Sequence, residues 1–298
     1  MQAVTFSRYG GPEVLELAEV ADPVAGAGRI RVRVLAAGVN FYDAKVRSGL
    51  FSGGREPAHP LVPGLEAAGI VDQVGPGVTG TAVGEAVFGL ATGGAAAGLA
   101  VLTAWAPQPA TLSPVQAGGL AVVAETAVRC LDLLDVGPGD RLLVHGAAGG
   151  VGQAAVQLAG LRGALVVGTA RPANHPLLAR YGALATSYGE GMPGRVRELF
   201  GSPTHVLDTA GTQLDDLLAL APAPERVVSI ANFAAGEHGA RVTSGGGDAA
   251  AALAEVAELA ATGRFSLEVA ATFGFEQAAQ AHRLVESRTV AGKIVLVA

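Results

Sequence analysis

Cysteine is nearly absent from this 298-residue chain. Its single copy, Cys130, excludes an internal disulfide and any zinc site built on several thiolates. Lysine is almost as scarce: it occurs only as Lys45 and Lys293, so arginine carries nearly all the positive charge. No Lys/Arg run exists and the formal net charge is −6, which leaves no electrostatic footprint for nucleic acid. Long apolar runs are missing too. The stretches at 89–106 and 117–124 are Gly/Ala-rich and too short or too weak to span a bilayer. No charged-then-apolar leader opens the chain. A cytoplasmic protein with no membrane partner is the expectation. Neither a G-x-S-x-G elbow nor a G-x-x-x-x-G-K-[ST] loop occurs, which argues against a hydrolase or a nucleoside triphosphatase. The six histidines (His59, His145, His175, His205, His238, His282) show no ligand spacing, and no metal site is expected.

Apolar mass is plentiful. Half the residues are apolar and only 15% are charged, so a large core can be filled and disorder is disfavoured. Forty-three glycines are scattered without a period, which excludes collagen and points to many tight turns. At about 150 residues per domain, the length suggests two domains.

Residues 1–117 read as β-rich. Ile30, Val32 and Val34 alternate with Arg31 and Arg33, a half-buried strand of period two. Further strands are expected at 14–17, 64–74 and 83–90, separated by Gly/Pro turns. One helix is expected over 115–134. After it, strand patterns at 141–145, 165–169, 205–208 and 226–230 alternate with helical ones at 151–161, 176–181, 195–200 and 214–220. That alternation means βαβ units and a parallel sheet. Beyond 247 come an Ala-rich helix (248–261), a strand, a helix (275–287) and a last strand (293–297). The fold class is therefore α/β: a β-rich domain over 1–117, a doubly wound parallel-sheet Rossmann domain over 118–246, and a C-terminal segment over 247–298.

The strand 141–145 runs straight into Gly146-Ala147-Ala148-Gly149-Gly150-Val151-Gly152 and then a helix. This is a dinucleotide fingerprint, A-x-G-x-x-G, with Ala147 in the first glycine position. Gly149 allows the backbone to approach a pyrophosphate. Gly152 lets the helix pack on the strand, and the helix N-terminus faces the phosphates. An NAD site wants Asp or Glu about 20 residues on, to bind the ribose 2′-hydroxyl. Here that place reads Gly168-Thr169-Ala170-Arg171, and no Asp or Glu occurs anywhere between Asp140 and Glu190. Arg171 stands where a 2′-phosphate needs a cation, with Asn174 and His175 as nearby donors. NADPH is the expected cofactor.

Taken together, Gly139-Asp140…Ala147-Ala148-Gly149-Gly150-x-Gly152…Gln157, Ala37-Gly38-Val39-Asn40-x-x-Asp43, Pro63-Gly64-x-Glu66-x-x-Gly69, Val74-Gly75-x-Gly77-Val78, Val206-Leu207-Asp208-Thr209-Ala210-Gly211 and Ala291-Gly292-Lys293-Ile294-Val295-Leu296 resemble the quinone oxidoreductases of the zeta-crystallin type, zinc-free members of the medium-chain dehydrogenase/reductase superfamily. The likeness runs over nearly the whole chain. It implies a GroES-like catalytic domain, a Rossmann domain, a C-terminal return to the first domain, an active site in the cleft between domains, and a homodimer. Places that hold zinc ligands elsewhere in the superfamily fall here on Asn40, Leu65 and about Val122.

Without zinc, nothing lowers an alcohol's pKa, and reducing a quinone or a conjugated C=C–C=O is the easier chemistry. The oxygen that gains charge then needs a hydrogen-bond donor and a proton. The resemblance gives Asn40 a place beside the nicotinamide, orienting it or bonding the substrate oxygen; a plain helix N-cap is the alternative. Tyr42 is the nearest phenol, a proton donor or a packing ring. Asp43 fixes backbone or orients Lys45. Thr126 matches a threonine near the nicotinamide, and Tyr188 and Arg288 match residues that approach the adenosine phosphate. Many relatives have tyrosine where this chain has Phe51, which cannot donate a proton. Cys130 reads as inert core. The expected function is NADPH-dependent reduction of a quinone or enone; an enoyl or tailoring reductase and a non-catalytic NADPH-binding sensor are the alternatives.

Overall fold

A computed structural model describes all 298 residues, Met1–Ala298. The chain divides into two compact units, Met1–Val122 with Ala249–Ala298, and Val123–Asp248. No helix is long and apolar enough to cross a membrane.

The first unit is built on a six-stranded sheet in the order Val269–Gly274, Lys293–Val297, Ile30–Val39, Glu66–Val74, Ala86–Thr92, Leu99–Pro107. Ile30–Val39 also pairs with Leu99–Pro107, closing four of the strands on themselves. Its first half keeps the alternation read from the sequence, with Ile30, Val32 and Val34 buried and Arg33 exposed. The alternation ends at Ala36, where both faces become covered. Small residues make that possible: a Cβ on Gly118 would lie 2.7 Å from the Ala36 Cβ. The chain's last strand joins this sheet by antiparallel pairing of Ile294 with Val39 and Val295 with Gly38.

Two expectations for this unit need correction. Residues 14–17 are not one strand. Pro12–Val14 forms a 3-10 turn, because Pro12 presets a helical φ, and the strand is Glu16–Glu19, paired with Gln2–Thr5. The helix expected over 115–134 is two. The first, Pro114–Gly118, is capped by Ser113, whose Oγ accepts from Gln116 N–H while the Gln116 carboxamide accepts from Ser113 N–H. Gly119 ends it, and a new helix runs Ala121–Leu134.

The second unit is a parallel sheet in the order Arg241–Val242, Val227–Ser229, His205–Asp208, Arg141–His145, Leu165–Thr169, Leu184–Thr186. The chain starts in the middle, winds to one edge and returns to wind to the other, which is the doubly wound order of dinucleotide-binding domains. Leu142, Leu143, Val144, Val206 and Leu207 are fully buried, as strands covered on both faces require. The direction of winding reverses between Arg141–His145 and His205–Asp208, and at their carboxyl ends lies the place where such sheets bind ligands. Cys130 is buried in its helix, and burial pushes its thiol up to about 12, so it stays a protonated core residue.

Candidate functional site

At that reversal point the glycine-rich turn is held from three sides. Gly146 has φ +83°, and a Cβ there would meet Thr209 Oγ at 2.7 Å. The Thr209 hydroxyl donates to the His145 carbonyl (2.7 Å) and the Gly146 carbonyl (3.1 Å). The Thr169 hydroxyl accepts from Gly146 N–H (3.2 Å), and the Thr169 carbonyl accepts from Ala147 N–H (3.0 Å). His145 bridges the two threonines beside it, with Nδ1 2.8 Å from Thr169 Oγ and Nε2 2.9 Å from Thr212 Oγ. Burial lowers its pKa, so the ring is neutral and serves one hydroxyl as donor and the other as acceptor. Asp208 fixes the neighbouring turn, accepting from Ala210 N–H, Gly211 N–H and the Ser229 hydroxyl at 2.8–3.0 Å.

The two later glycines of the fingerprint differ. A Cβ on Gly152 would lie 2.5–2.8 Å from backbone atoms of Gly146 and Ala147, so this glycine is needed for the helix to reach the strand. A Cβ on Gly149 would meet nothing closer than 3.5 Å. Gly149 is the N-cap of helix Gly150–Leu161, and the open space over it is a cradle with unpaired helix N–H groups at its floor. These residues fit a pyrophosphate. Arg171 begins the 3-10 turn Pro172–Asn174 that follows Thr169, with His175 Nε2 3.2 Å from the Ala170 carbonyl. Tyr188 is exposed just past Leu184–Thr186. Thr126 lies on Ala121–Leu134, buried beside the Glu125–Arg129 ion pair (2.7 Å).

In the first unit, Asn40 follows strand Ile30–Val39 and stands at the N-cap position of helix Phe41–Arg47. Its side-chain amide makes no cap hydrogen bond. Nδ2 instead donates to Glu66 Oε1 (2.9 Å), and Oδ1 accepts from Lys293 Nζ. Lys293 Nζ also donates to Glu66 Oε1 (2.8 Å), and Glu66 Oε2 accepts from Val122 N–H (2.8 Å). Glu66 is fully buried and Lys293 is 4% exposed. Tyr42 is offset-stacked on Phe51, with ring centroids 5.3 Å apart and both rings partly in solvent. Arg288, in the left-handed region at φ +52°, sets its guanidinium over the Phe41 ring at 4.2 Å.

Asp43 takes the backbone-fixing role: its carboxylate accepts from Asn40 N–H at 2.8 Å. Burial pushes this carboxyl up to about 7, against the pull of the Asn40 N–H and of Lys293. A raised carboxyl pKa means the folded state binds the extra proton between the unfolded value near 4 and 7. Stability from Asp43 is therefore fully present at low pH and is lost as pH rises through 7, by roughly 4 kcal/mol. Asp43→Asn is expected to flatten that part of the stability profile: urea unfolding at pH 5 and pH 8 should show the variant gaining on wild type at pH 8. An identical pH 5 to pH 8 difference in both proteins contradicts the assignment.

Comparison with known proteins places this geometry. The family model described as the alcohol dehydrogenase GroES-like domain matches residues 26–128, and the one described as zinc-binding dehydrogenase matches residues 197–296. Quinone oxidoreductase of Rattus norvegicus is 39% identical over 175 residues, covering 57% of this chain and 53% of the rat protein. The chain thus matches about half the length of its curated relatives. A solved NAD-dependent alcohol dehydrogenase superposes with a TM-score of 0.86 at 30% identity, covering all of both chains. Mycobacterial Rv1454c complexed with NADPH also gives 0.86, at 28% identity and full coverage of both. The chain belongs to the medium-chain dehydrogenase/reductase superfamily.

Within this superfamily member, the residues aligned with zinc-ligand positions do not fit a zinc ion. Asn40 offers a carboxamide whose oxygen already accepts from an ammonium, Leu65 has no donor atom, and Val122 contributes a backbone N–H directed at Glu66. No group of three or more His, Cys, Asp or Glu side chains comes together anywhere in the chain. Lys293, Glu66, Thr209 and Asp208 take part in these clusters, and sequence reading gave them no role beyond their places in the family-like motifs. Lys293 had a signal, as one of two lysines and set in a strand otherwise made of Ile, Val and Leu.

Proposed function

We propose that this chain is an NADPH-dependent, zinc-independent oxidoreductase that reduces quinones or α,β-unsaturated carbonyl compounds. The observation that carries the reading is the carboxyl end of strand Leu165–Thr169, paired with the strand that leads into the glycine-rich turn, where Arg171 heads a carboxylate-free turn. A carboxylate there selects NAD by bonding the 2′-hydroxyl, and a guanidinium favours a 2′-phosphate. Gly149 and the N–H groups of helix Gly150–Leu161 bind the pyrophosphate. Arg171, with Asn174, His175 and Tyr188, holds the adenosine phosphate. The reduced nicotinamide, when bound, supplies the hydride. Asn40 offers the hydrogen bond to the substrate oxygen as charge gathers on it.

The test is a fluorescence titration of the chain with NADPH and NADH. NADPH is expected to bind at least about tenfold tighter, and Arg171→Ala to remove most of that preference, as loss of a charge-assisted hydrogen bond implies. Turnover of a small quinone should survive exhaustive chelation. Equal dissociation constants for the two cofactors, or chelator-sensitive turnover, overturns the reading.

A further inference from the structure

The buried cluster around Asn40 has a chemical direction. Strand register creates it: Ile294 pairs with Val39 and Ala67 pairs with Ala37, so the next positions along bring Lys293 beside Asn40 and Glu66 beside Gly38. Two glycines make room. A Cβ on Gly38 would lie 2.2 Å from Glu66 Oε1, and one on Gly119 would lie 3.2 Å from the Lys293 Cε. The result is a cation and an anion, both almost fully buried, each bonded to a different end of one carboxamide.

A carboxamide held this way cannot be turned over. Exchanging its oxygen and nitrogen would set an NH2 group against the Lys293 ammonium and a carbonyl oxygen against the Glu66 carboxylate, replacing two charge-assisted hydrogen bonds by two repulsions. In the observed orientation one Nδ2 hydrogen goes to Glu66. The second Nδ2 hydrogen is what the partly exposed Asn40 has left to present. The ammonium on Oδ1 also draws electron density from the amide and strengthens that N–H as a donor.

We propose that Lys293 and Glu66 are positioning residues that lock Asn40 as a hydrogen-bond donor, so that the group it reads is an acceptor oxygen, a carbonyl or the enolate or phenolate it becomes, and not a hydroxyl or amine hydrogen. The substrate-class part rests on the proposed function; the locking itself does not. Lys293 thereby supplies, through Asn40, positive charge toward a developing oxyanion from within the protein's own side chains.

The chain has three asparagines, Asn40, Asn174 and Asn232, so selective 15N-asparagine labelling gives three side-chain NH2 pairs to follow in the cofactor-free protein. In wild type, one Asn40 Nδ2 hydrogen is expected to exchange with solvent much more slowly than its geminal partner. In the double variant Lys293→Met with Glu66→Gln, which removes both members of the buried ion pair, the difference should disappear. The carboxamide oxygen of residue 66 is then held by Val122 N–H, its NH2 group faces Asn40 and favours Oδ1 there, and neither Nδ2 hydrogen keeps a charged acceptor. Lys293→Arg should restore it. Turnover should follow the same order: the double variant loses about 10- to 100-fold in kcat with NADPH affinity within threefold of wild type, and Lys293→Arg recovers to within about fivefold. An exchange difference that persists in the double variant, or a Lys293→Arg protein that behaves like the double variant, overturns the proposal. Slow exchange lost in the double variant supports the locking even if wild type reduces no carbonyl compound, an outcome that counts against the proposed function alone.

Discussion

Gly152→Ala is expected to destabilise the second unit by about 2–3 kcal/mol and to abolish measurable NADPH binding, whereas Gly149→Ala is expected to fold and to lose affinity alone. The two glycines lie three residues apart in one turn, and both have ordinary negative-φ backbone; neither needs glycine for its dihedral angles. What separates them is the space a methyl group would enter. At Gly152 the added carbon would lie 2.5 Å from the Gly146 carbonyl oxygen, 2.6 Å from the Ala147 Cα and 2.8 Å from the Ala147 carbonyl carbon. All three are backbone atoms of the same tight turn, and that turn is itself pinned by Thr169 and Thr209. No side chain can swing away, so the helix must lift off the strand, an overpacking strain of the size seen in cores. The lift also carries the N–H groups of Gly150–Leu161 away from the phosphate position. At Gly149 the methyl group meets only the Gly146 oxygen at 3.5 Å, ordinary contact. Its stability cost is the N-cap preference of glycine over alanine, about 1 kcal/mol or less. The methyl group would, however, stand where the pyrophosphate approaches, and a loss of at least tenfold in NADPH affinity should follow. Urea unfolding and cofactor titration on both variants decide the matter: wild-type stability for Gly152→Ala, or wild-type affinity for Gly149→Ala, would reverse the assigned roles.

That contrast was already present in the sequence, because it is local. A strand, a glycine-rich turn and a helix occupy one short stretch, and each glycine's task follows from its place in it. The helix break at Gly118-Gly119 was less legible. Apolar spacing runs through it, and the need for two small residues comes from Ala36 and Lys293, far away in sequence. The edge strands Leu184–Thr186 and Arg241–Val242 are three and two residues long, too short for any periodicity to register. Leu99–Pro107 lies in an Ala/Gly-rich apolar stretch where strand and helix patterns look alike. The Asn40 cluster shows the limit most clearly. Its motifs could each be read as fragments of a family pattern, yet Asn40, Glu66 and Lys293 are separated by 26 and 227 residues. Only strand register brings them together, and register is a property of the sheet and not of any one window of sequence.

The second large effect expected is at Asn40. Asn40→Ala should lower kcat/KM by 100-fold or more for both a quinone and an enone, the scale reached when one donor to a developing oxyanion is removed. Because the donor acts on charge that exists only in the transition state, kcat and kcat/KM should fall together. Tyr42→Phe should separate the two substrates. The Tyr42 ring is 40% exposed and stacked on Phe51, which has no hydroxyl to take over a lost proton. A hydroquinone's oxygens can be protonated from water, so quinone turnover should drop by less than about tenfold. An enone must also gain a proton as its enolate collapses, and there general acid catalysis contributes typically 10²–10⁴-fold. Measuring one quinone and one enone across wild type and the two variants distinguishes the roles, since positioning is common to both reactions and proton delivery is not. Abolition of quinone reduction in Tyr42→Phe with activity intact in Asn40→Ala would mean that the phenol, and not the locked carboxamide, carries the oxyanion.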